Sequence, residues 1–453
     1  MPLYWHASFH PGPGAVSRSP EPLHYQLALL LLLLVMCAVI YAPGLQGPML
    51  HDDYPQLSGL LEAENRDWRE LSDKYLLSNS GYLGRPVSMA SFIASAMLHG
   101  GDLRYWKAGN LLLHCLNAIV LFFLARVLLR AAPVSVRPAQ AGWLALLAAG
   151  LWLLHALHVS TVLYTVQRMA QLSTLFVFAG LLAYSSGRLR QVTASGSGWW
   201  QIAVAFLVCL PLATLSKENG VLLLLLMPLV ELVMFRGAGL PVGRYRAGRM
   251  LLAAMLVPVV LGVMYLLLHA DHFLVSGYAS RDFTLTERLL TESRVLVRYL
   301  HQLLVPLPGL MGFYHDDIAV SRGLTEPVTT LGSLLLLAGL LWLALVLRRR
   351  QPVIALGILF FFLAHSLEST ILPLELMFEH RNYLASFGVM LVCTVSLAQL
   401  MRQPRVLAAA GIVLLLSWSS LTVVRAGIWG SASLQASHFA TLHPQSKHRI
   451  GAP

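Results

Sequence analysis

Charge is scarce in this chain: Asp, Glu, Lys and Arg together make up 12% of 453 residues, whereas 57% are hydrophobic and the mean hydropathy is +0.67. A water-soluble surface cannot be assembled from that composition. Alternating ten-residue strands are missing, which excludes a closed barrel, the one competitor of helices for spanning a bilayer. Cysteine is limited to Cys37, Cys115, Cys209 and Cys393, all inside apolar runs. They offer neither a disulfide framework nor a CxxC metal site and read as small buried hydrophobes. No internal repeat or low-complexity linker divides the chain, so one domain over 1–430 with a short tail over 431–453 is expected.

What the sequence does have is long apolar runs. A helix needs about 17 to 25 such residues to cross a ~30 Å hydrocarbon core. The runs predict an all-α polytopic membrane protein with about eleven spans. These lie near 25–43, 106–129, 141–157, 163–185, 199–215, 219–235, 250–269, 328–347, 352–367, 384–400 and 406–426. The first run, Leu27 to Tyr41, has no small-residue cleavage site after it and reads as a permanent span rather than a signal peptide.

The formal charge of +11 does not point to nucleic acid, because Lys and Arg fall in short clusters between apolar runs. Arg126, Arg130 and Arg137, then Arg188 and Arg190, then Arg236, Arg244, Arg246 and Arg249, then Arg348 to Arg350, then Arg402 and Arg405 follow alternate spans. The positive-inside rule makes those loops cytoplasmic. Of the 21 acidic residues only Glu21 and Glu231 then lie away from the outer loops. The stretch 283–310 is apolar but contains Glu287, Arg288, Glu292, Arg294, Arg298 and His301, so it reads as an amphipathic helix on the outer interface. Pro86 to His99 is too short to cross and reads likewise. Two long segments, about 44–105 and 270–327, therefore build the outer face.

Polar residues recur at the outer ends of the helices. His51-Asp52-Asp53-Tyr54 follows the first span, and two adjacent carboxylates call for a cation, a metal or hydrogen-bond donors nearby. Arg85, Arg168, Lys217 beside Glu218, and Glu379-His380-Arg381 occupy comparable positions. Ionisable groups at membrane depth are costly and mark sites or pathways. Asn110, His114 and Asn117 share one helix face and read either as site residues or as an interhelical hydrogen-bond stripe. His155 and His158 could hold a metal but lack a third ligand. Asp316-Asp317, after His315, reads as a solvated loop. No cofactor is required by these residues, although a divalent metal is compatible with the paired carboxylates.

The order of these motifs resembles the GT-C superfamily of glycosyltransferases. The matching features are Asp52-Asp53 after span one, Arg85-Pro86, Asn110-x-x-x-His114, the His155-x-x-His158 turn before Arg168, Ser216-Lys217-Glu218 and Glu379-x-Arg381-x-x-Leu384. They are similar to motifs of the transmembrane O-mannosyltransferases with tetratricopeptide repeats and of shorter bacterial relatives, among them a pilin arabinofuranosyltransferase. Arg425, Trp429 and His443-Pro444-x-Ser446 resemble the lead-in to a periplasmic repeat array. Ala156 and Thr161 replace a Pro and a Glu usual in the family, which leaves the sugar open between a mannose-like hexose and arabinofuranose.

The resemblance implies a bacterial inner-membrane enzyme with a periplasmic site, a polyprenyl-phosphate-linked sugar as donor and a pilin-like protein hydroxyl as acceptor, with a lipid or glycan acceptor as the alternative. Asp53 or Asp52 would be the general base. Arg85, Arg168, Lys217 and Arg381 would bind the donor phosphate. His51, Tyr54, Asn110, His114, His155, His158, Glu218, Glu379 and His380 would line the substrates. The rival of another class is a secondary transporter or flippase, which the placement of charges at helix ends rather than at the midplane disfavours. A noncatalytic scaffold would leave the polar residues without a role.

Overall fold

The structure is a computed structural model and describes residues 23–446 except 64–66, 78–80, 82, 133–135, 239–255, 259, 263, 266–267 and 272–275. Among the described residues every regular element is helical. Eight helices are long and apolar enough to cross a membrane: Leu23–Gln46, Leu103–Arg130, Thr165–Val192, Trp199–Ser216, Glu218–Phe235, Thr329–Leu347, Glu379–Leu400 and Pro404–Trp429. Ala141–Leu153 and Ala156–Val162 are a ninth if their 47° bend lies within one span.

Two expected spans are not among these. Pro352–His365 has 14 residues, or about 21 Å at 1.5 Å per residue, which falls short of the hydrocarbon thickness. It packs tightly on Asn382–Leu400, where a Cβ on Gly357 or on Gly388 would lie 2.4 Å from the other's carbonyl oxygen. Small residues are what let two backbones approach that closely. The expected span at 250–269 lies largely outside the described residues.

Leu285–Leu304 is a single helix opened by a capping box, with Thr284 Oγ1 accepting the Glu287 N–H and Glu287 accepting the Thr284 N–H at 2.8 Å. It is not among the helices apolar enough to span. Its buried face is polar, with Arg288 and Glu292 paired at 3.0 Å. Pro86–His99 is likewise a short helix. Beyond the last span, Ala432–Leu442 forms the helix of the expected tail, and residues 447–453 lie outside the description.

The helix ends sort by chemistry. At one end Arg188 pairs with Glu231 at 2.7 Å, the Arg236 guanidinium meets the Arg348 carbonyl, and Gln351 accepts from Gln399 at 2.7 Å. Glu231 there receives Tyr184, Arg188 and the Gly237 N–H, so this buried carboxylate is fully hydrogen-bonded. It is thus a helix-end tie. The remaining described ion pairs involve residues from the loops and helix ends that the charge pattern assigns to the opposite end.

Candidate functional site

Asp52 and Asp53 are adjacent in sequence and differ in surroundings. Asp53 opens the helix Asp53–Leu61 and is fully buried, accepting the Leu50 N–H at 3.1 Å and the Val166 N–H at 2.7 Å. Burial pushes its carboxyl up to about 7 against those hydrogen bonds and the Lys107 charge. Asp52 has a side chain 50% exposed, lies 3.5 Å from the His51 ring, and donates its backbone N–H to Tyr164 Oη at 2.8 Å. Tyr54 is exposed on the next position. The chemically accessible carboxylate is Asp52, and Asp53 fastens the loop.

The fastening depends on the bend between Ala141–Leu153 and Thr165–Val192. Its irregular backbone frees carbonyls that Asn110 Nδ2 collects, from Val162 at 3.3 Å and Thr165 at 3.0 Å. Asn110 Oδ1 accepts from Arg168 Nε at 2.8 Å, and the same guanidinium donates to Ser91 O, Ser95 Oγ and Trp106 O while resting 4.5 Å over Phe92. Arg168 is therefore committed to protein partners. His114 is committed too, to Tyr383 Oη at 2.8 Å and Leu153 O at 2.9 Å, and Asn117 donates to Gln171 O. These three helix-face residues form the interhelical stripe.

His155 bonds Leu303 O and caps the Leu157 N–H, and His158 bonds Ser386 Oγ. Their rings are 5.6 Å apart, yet among the described residues no group of three or more metal-ligating side chains occurs. Glu379 is buried between Arg425 and His315, with His315 Nε2 at 3.2 Å. His443 sets its ring edge-on to His315 and pairs with Asp317 at 2.8 Å, which anchors the tail.

Cations gather in a hollow of their own. It is small and lined by Ser173, Thr174, Lys217, Glu368, His380 and Arg381. Lys217 pairs with Glu368 at 3.2 Å. Burial opposes charge on Glu368, but Lys217, Arg381 and His380 outweigh it and hold the carboxyl down at about 2. Arg381 donates to Leu376 O and lies 5.5 Å from the Phe378 ring. Arg85 forms a bidentate, partly exposed pair at 2.8 Å with Glu218, the residue after Lys217. Burial also pushes the Glu292 carboxyl up to about 7, against the charges of Arg381 and Arg288.

One aromatic path joins the halves. Tyr164, which accepts from Asp52, has its ring 6.2 Å from His380, and His380 stacks on Phe378 at 5.0 Å. Phe378 in turn lines a second cavity of about 400 Å³ that also includes His51, Tyr314 and Asp316. Burial pushes the Tyr314 phenol up, with Asp52 and Asp316 adding to it. Asp52 thus follows a residue of the cavity wall, His51, and the cavity meets the cationic hollow through the stack of Phe378 on His380.

The structure brings together Lys217, His380 and Arg381, and separately His51 and Asp52, with Tyr164 between the two groups, whereas Arg168, Asn110, His114, His155, His158 and Glu379 support the frame around them. Sequence reading missed Lys107, Tyr164, Glu368 and Tyr314. Lys107 was detectable as a charge inside a span, where its Nζ donates to Gly47 O at 2.7 Å. Tyr164 and Tyr314 carry no local signal, since their roles depend on distant partners. No protein-family model, curated protein or solved structure matches the chain.

Proposed function

We propose that the protein is a GT-C-type inverting glycosyltransferase with about eleven spans, which moves a sugar from a polyprenyl-phosphate donor to a hydroxyl on the outer face of a bacterial inner membrane. The sugar is a mannose-like hexose or arabinofuranose, and the acceptor is a pilin-like protein. The observation that carries this reading is the half-exposed Asp52 carboxylate, tied by its backbone N–H to Tyr164, whose ring lies 6.2 Å from His380 in the hollow that also holds Lys217 and Arg381. In the reaction the acceptor O–H gives its proton to Asp52 as its oxygen bonds the anomeric carbon. The anomeric carbon–phosphate oxygen bond breaks, and the polyprenyl phosphate leaves with the electron pair. That leaving group is already a stable anion, so neutralising cations rather than a strong acid are needed.

Glu368 fits this scheme as an internal anion. It occupies the Lys217 ammonium that a donor phosphate would take, so donor binding exchanges one anion for another. The decisive experiment compares masses of outer-face proteins from cells with and without the chain, and with Asp52→Asn. A hexose or pentose increment that needs Asp52 supports the reading. An increment unchanged by Asp52→Asn, or no increment at all alongside substrate crossing in acceptor-free proteoliposomes, overturns it.

A further inference from the structure

Three of the membrane helices run side by side in the same direction. A Cβ on Gly411 would meet Leu147 at 3.2 Å, and one on Gly150 would meet Leu415 at 3.0 Å and Leu33 at 3.1 Å. Further along, Thr422 Oγ1 donates to Leu154 O at 2.7 Å, and Cys37 Sγ lies 4.0 Å from Leu153 O. The contacts advance together along Leu23–Tyr41, Ala141–Leu153 and Pro404–Trp429, so all three helices begin at one end.

Between their first halves lies a groove of about 650 Å³ whose walls are apolar apart from Gln140 and Trp143. On the last helix it extends from Pro404 to Leu416. That is about 18 Å at 1.5 Å per residue, which matches one leaflet of a ~30 Å hydrocarbon core and not the whole membrane. Leu33 and Leu415, crowded against Gly150, close its inner end. Leu32, Ile412 and Leu416 stay more than half exposed along it. Because they belong to spans, that exposure is to hydrocarbon, and a lipid chain is what fills the groove.

Polar chemistry is confined to the mouth. Gln140 and Trp143 stand there on one wall, and an indole 41% exposed at the start of a span is an anchor at headgroup level. On the other wall Arg405 shares a helix face with Ala408 and Ile412, at i+3 and i+7, and both of these line the groove. Arg402 precedes Pro404 by two residues, and the Arg137 carbonyl accepts the Gln140 N–H at 2.8 Å, so both flank the same mouth. All three arginines are exposed, and among the described residues none is in an ion pair. The stretches 136–153 and 401–429 contain no Asp or Glu, so no local carboxylate opposes this charge.

We infer that the groove is a site for one anionic phospholipid of the leaflet at the arginine-rich end, with an acyl chain against Leu32, Leu147 and Ile412 and the headgroup phosphate at Arg405. The inference is independent of the transferase reading, because the mouth lies at the opposite end of the first helix from the Asp52 loop.

The test uses the full-length protein, delipidated in neutral detergent, and counts bound lipids by native mass spectrometry during titration with phosphatidylglycerol or with phosphatidylcholine of the same acyl chains. One phosphatidylglycerol is expected to bind about tenfold tighter than phosphatidylcholine, since each basic group near a membrane surface favours an anionic lipid about fivefold. The preference should fall several-fold in Arg405→Gln and with added salt. Ala408→Phe fills the groove from its exposed wall and should abolish the single tight binding event. Equal affinity for the two lipids, or a preference that survives either substitution, overturns the inference. Displacement of phosphatidylglycerol by an equal concentration of undecaprenyl phosphate also overturns it, by assigning the groove to a prenyl chain.

Discussion

The two neighbouring aspartates should fail in different ways when each is removed. Asp53→Ala strips the acceptor from two buried donors, the N–H groups of Leu50 at 3.1 Å and Val166 at 2.7 Å. Each orphaned donor costs about 1–3 kcal/mol, so about 2–6 kcal/mol of stability is expected to disappear. Asp52→Asn alters a half-exposed carboxylate and should change stability by less than about 0.5 kcal/mol. Its effect falls on proton removal, where a positioned base contributes about 10²–10⁴-fold in rate. The assay pairs thermal unfolding of detergent-solubilised protein, followed by tryptophan fluorescence, with single-turnover glycosyl transfer measured per folded molecule. Asp53→Ala should melt early and Asp52→Asn should melt normally and be inactive. The opposite result, an inactive Asp53→Ala of normal stability beside an active Asp52→Asn, would refute the division of roles.

Glu368→Gln frees Lys217 and Arg381 from their internal anion and should tighten undecaprenyl phosphate binding about tenfold, whereas Lys217→Ala should weaken it by a similar factor; equilibrium binding in nanodiscs reads both. For Asp53 the folded carboxyl titrates at about 7, above its ordinary value of 3.8. Its contribution is therefore fully present below about pH 4 and is lost as pH rises through 7, at about 1.4 kcal/mol per unit between the two values. Unfolding curves of the unmodified protein should show that slope and those of Asp53→Asn should lack it. Glu231→Gln leaves Arg188 buried without its partner and should cost about 3–5 kcal/mol, with the turnover of the surviving folded protein unchanged. Gly47→Ala would place a Cβ 2.0 Å from the Trp429 carbonyl oxygen, so it should displace the first loop and lower both expression and melting temperature.

Much of this architecture was legible because its causes are local. Apolar run length announces a membrane helix wherever it occurs, and eight of the expected spans appear as single helices long enough to cross. The charges in 283–310 set that helix apart from those apolar enough to cross, and Arg288 and Glu292 are paired inside the protein. The break after Leu153 was legible as the His155-x-x-His158 turn between two expected spans, but what supports it was not. The backbone groups it frees are met by residues far away in sequence, among them Asn110, Asp53, Thr422 and Arg425.

The candidate site divided along the same line. That polar residues would cluster at helix ends followed from their positions, but which of them face a cavity depends on partners that spacing does not encode. Arg168 looked like a phosphate ligand and spends its guanidinium on Asn110, Ser91, Ser95 and Trp106. Glu368 stood in no motif and lies at the centre of the cations.

The contacts that hold Asp53 and Asn110 to the bent segment are all made to its main chain, at Val162, Tyr164, Thr165 and Val166. The hydrogen bonds to the aspartate loop therefore do not depend on the side chains at positions 162, 165 and 166, whose burial still limits them to residues of similar volume. Tyr164 is the exception, because there the hydroxyl itself receives the Asp52 N–H. Among relatives of this chain, swaps of similar volume are expected around that tyrosine, and none that remove the hydroxyl at it.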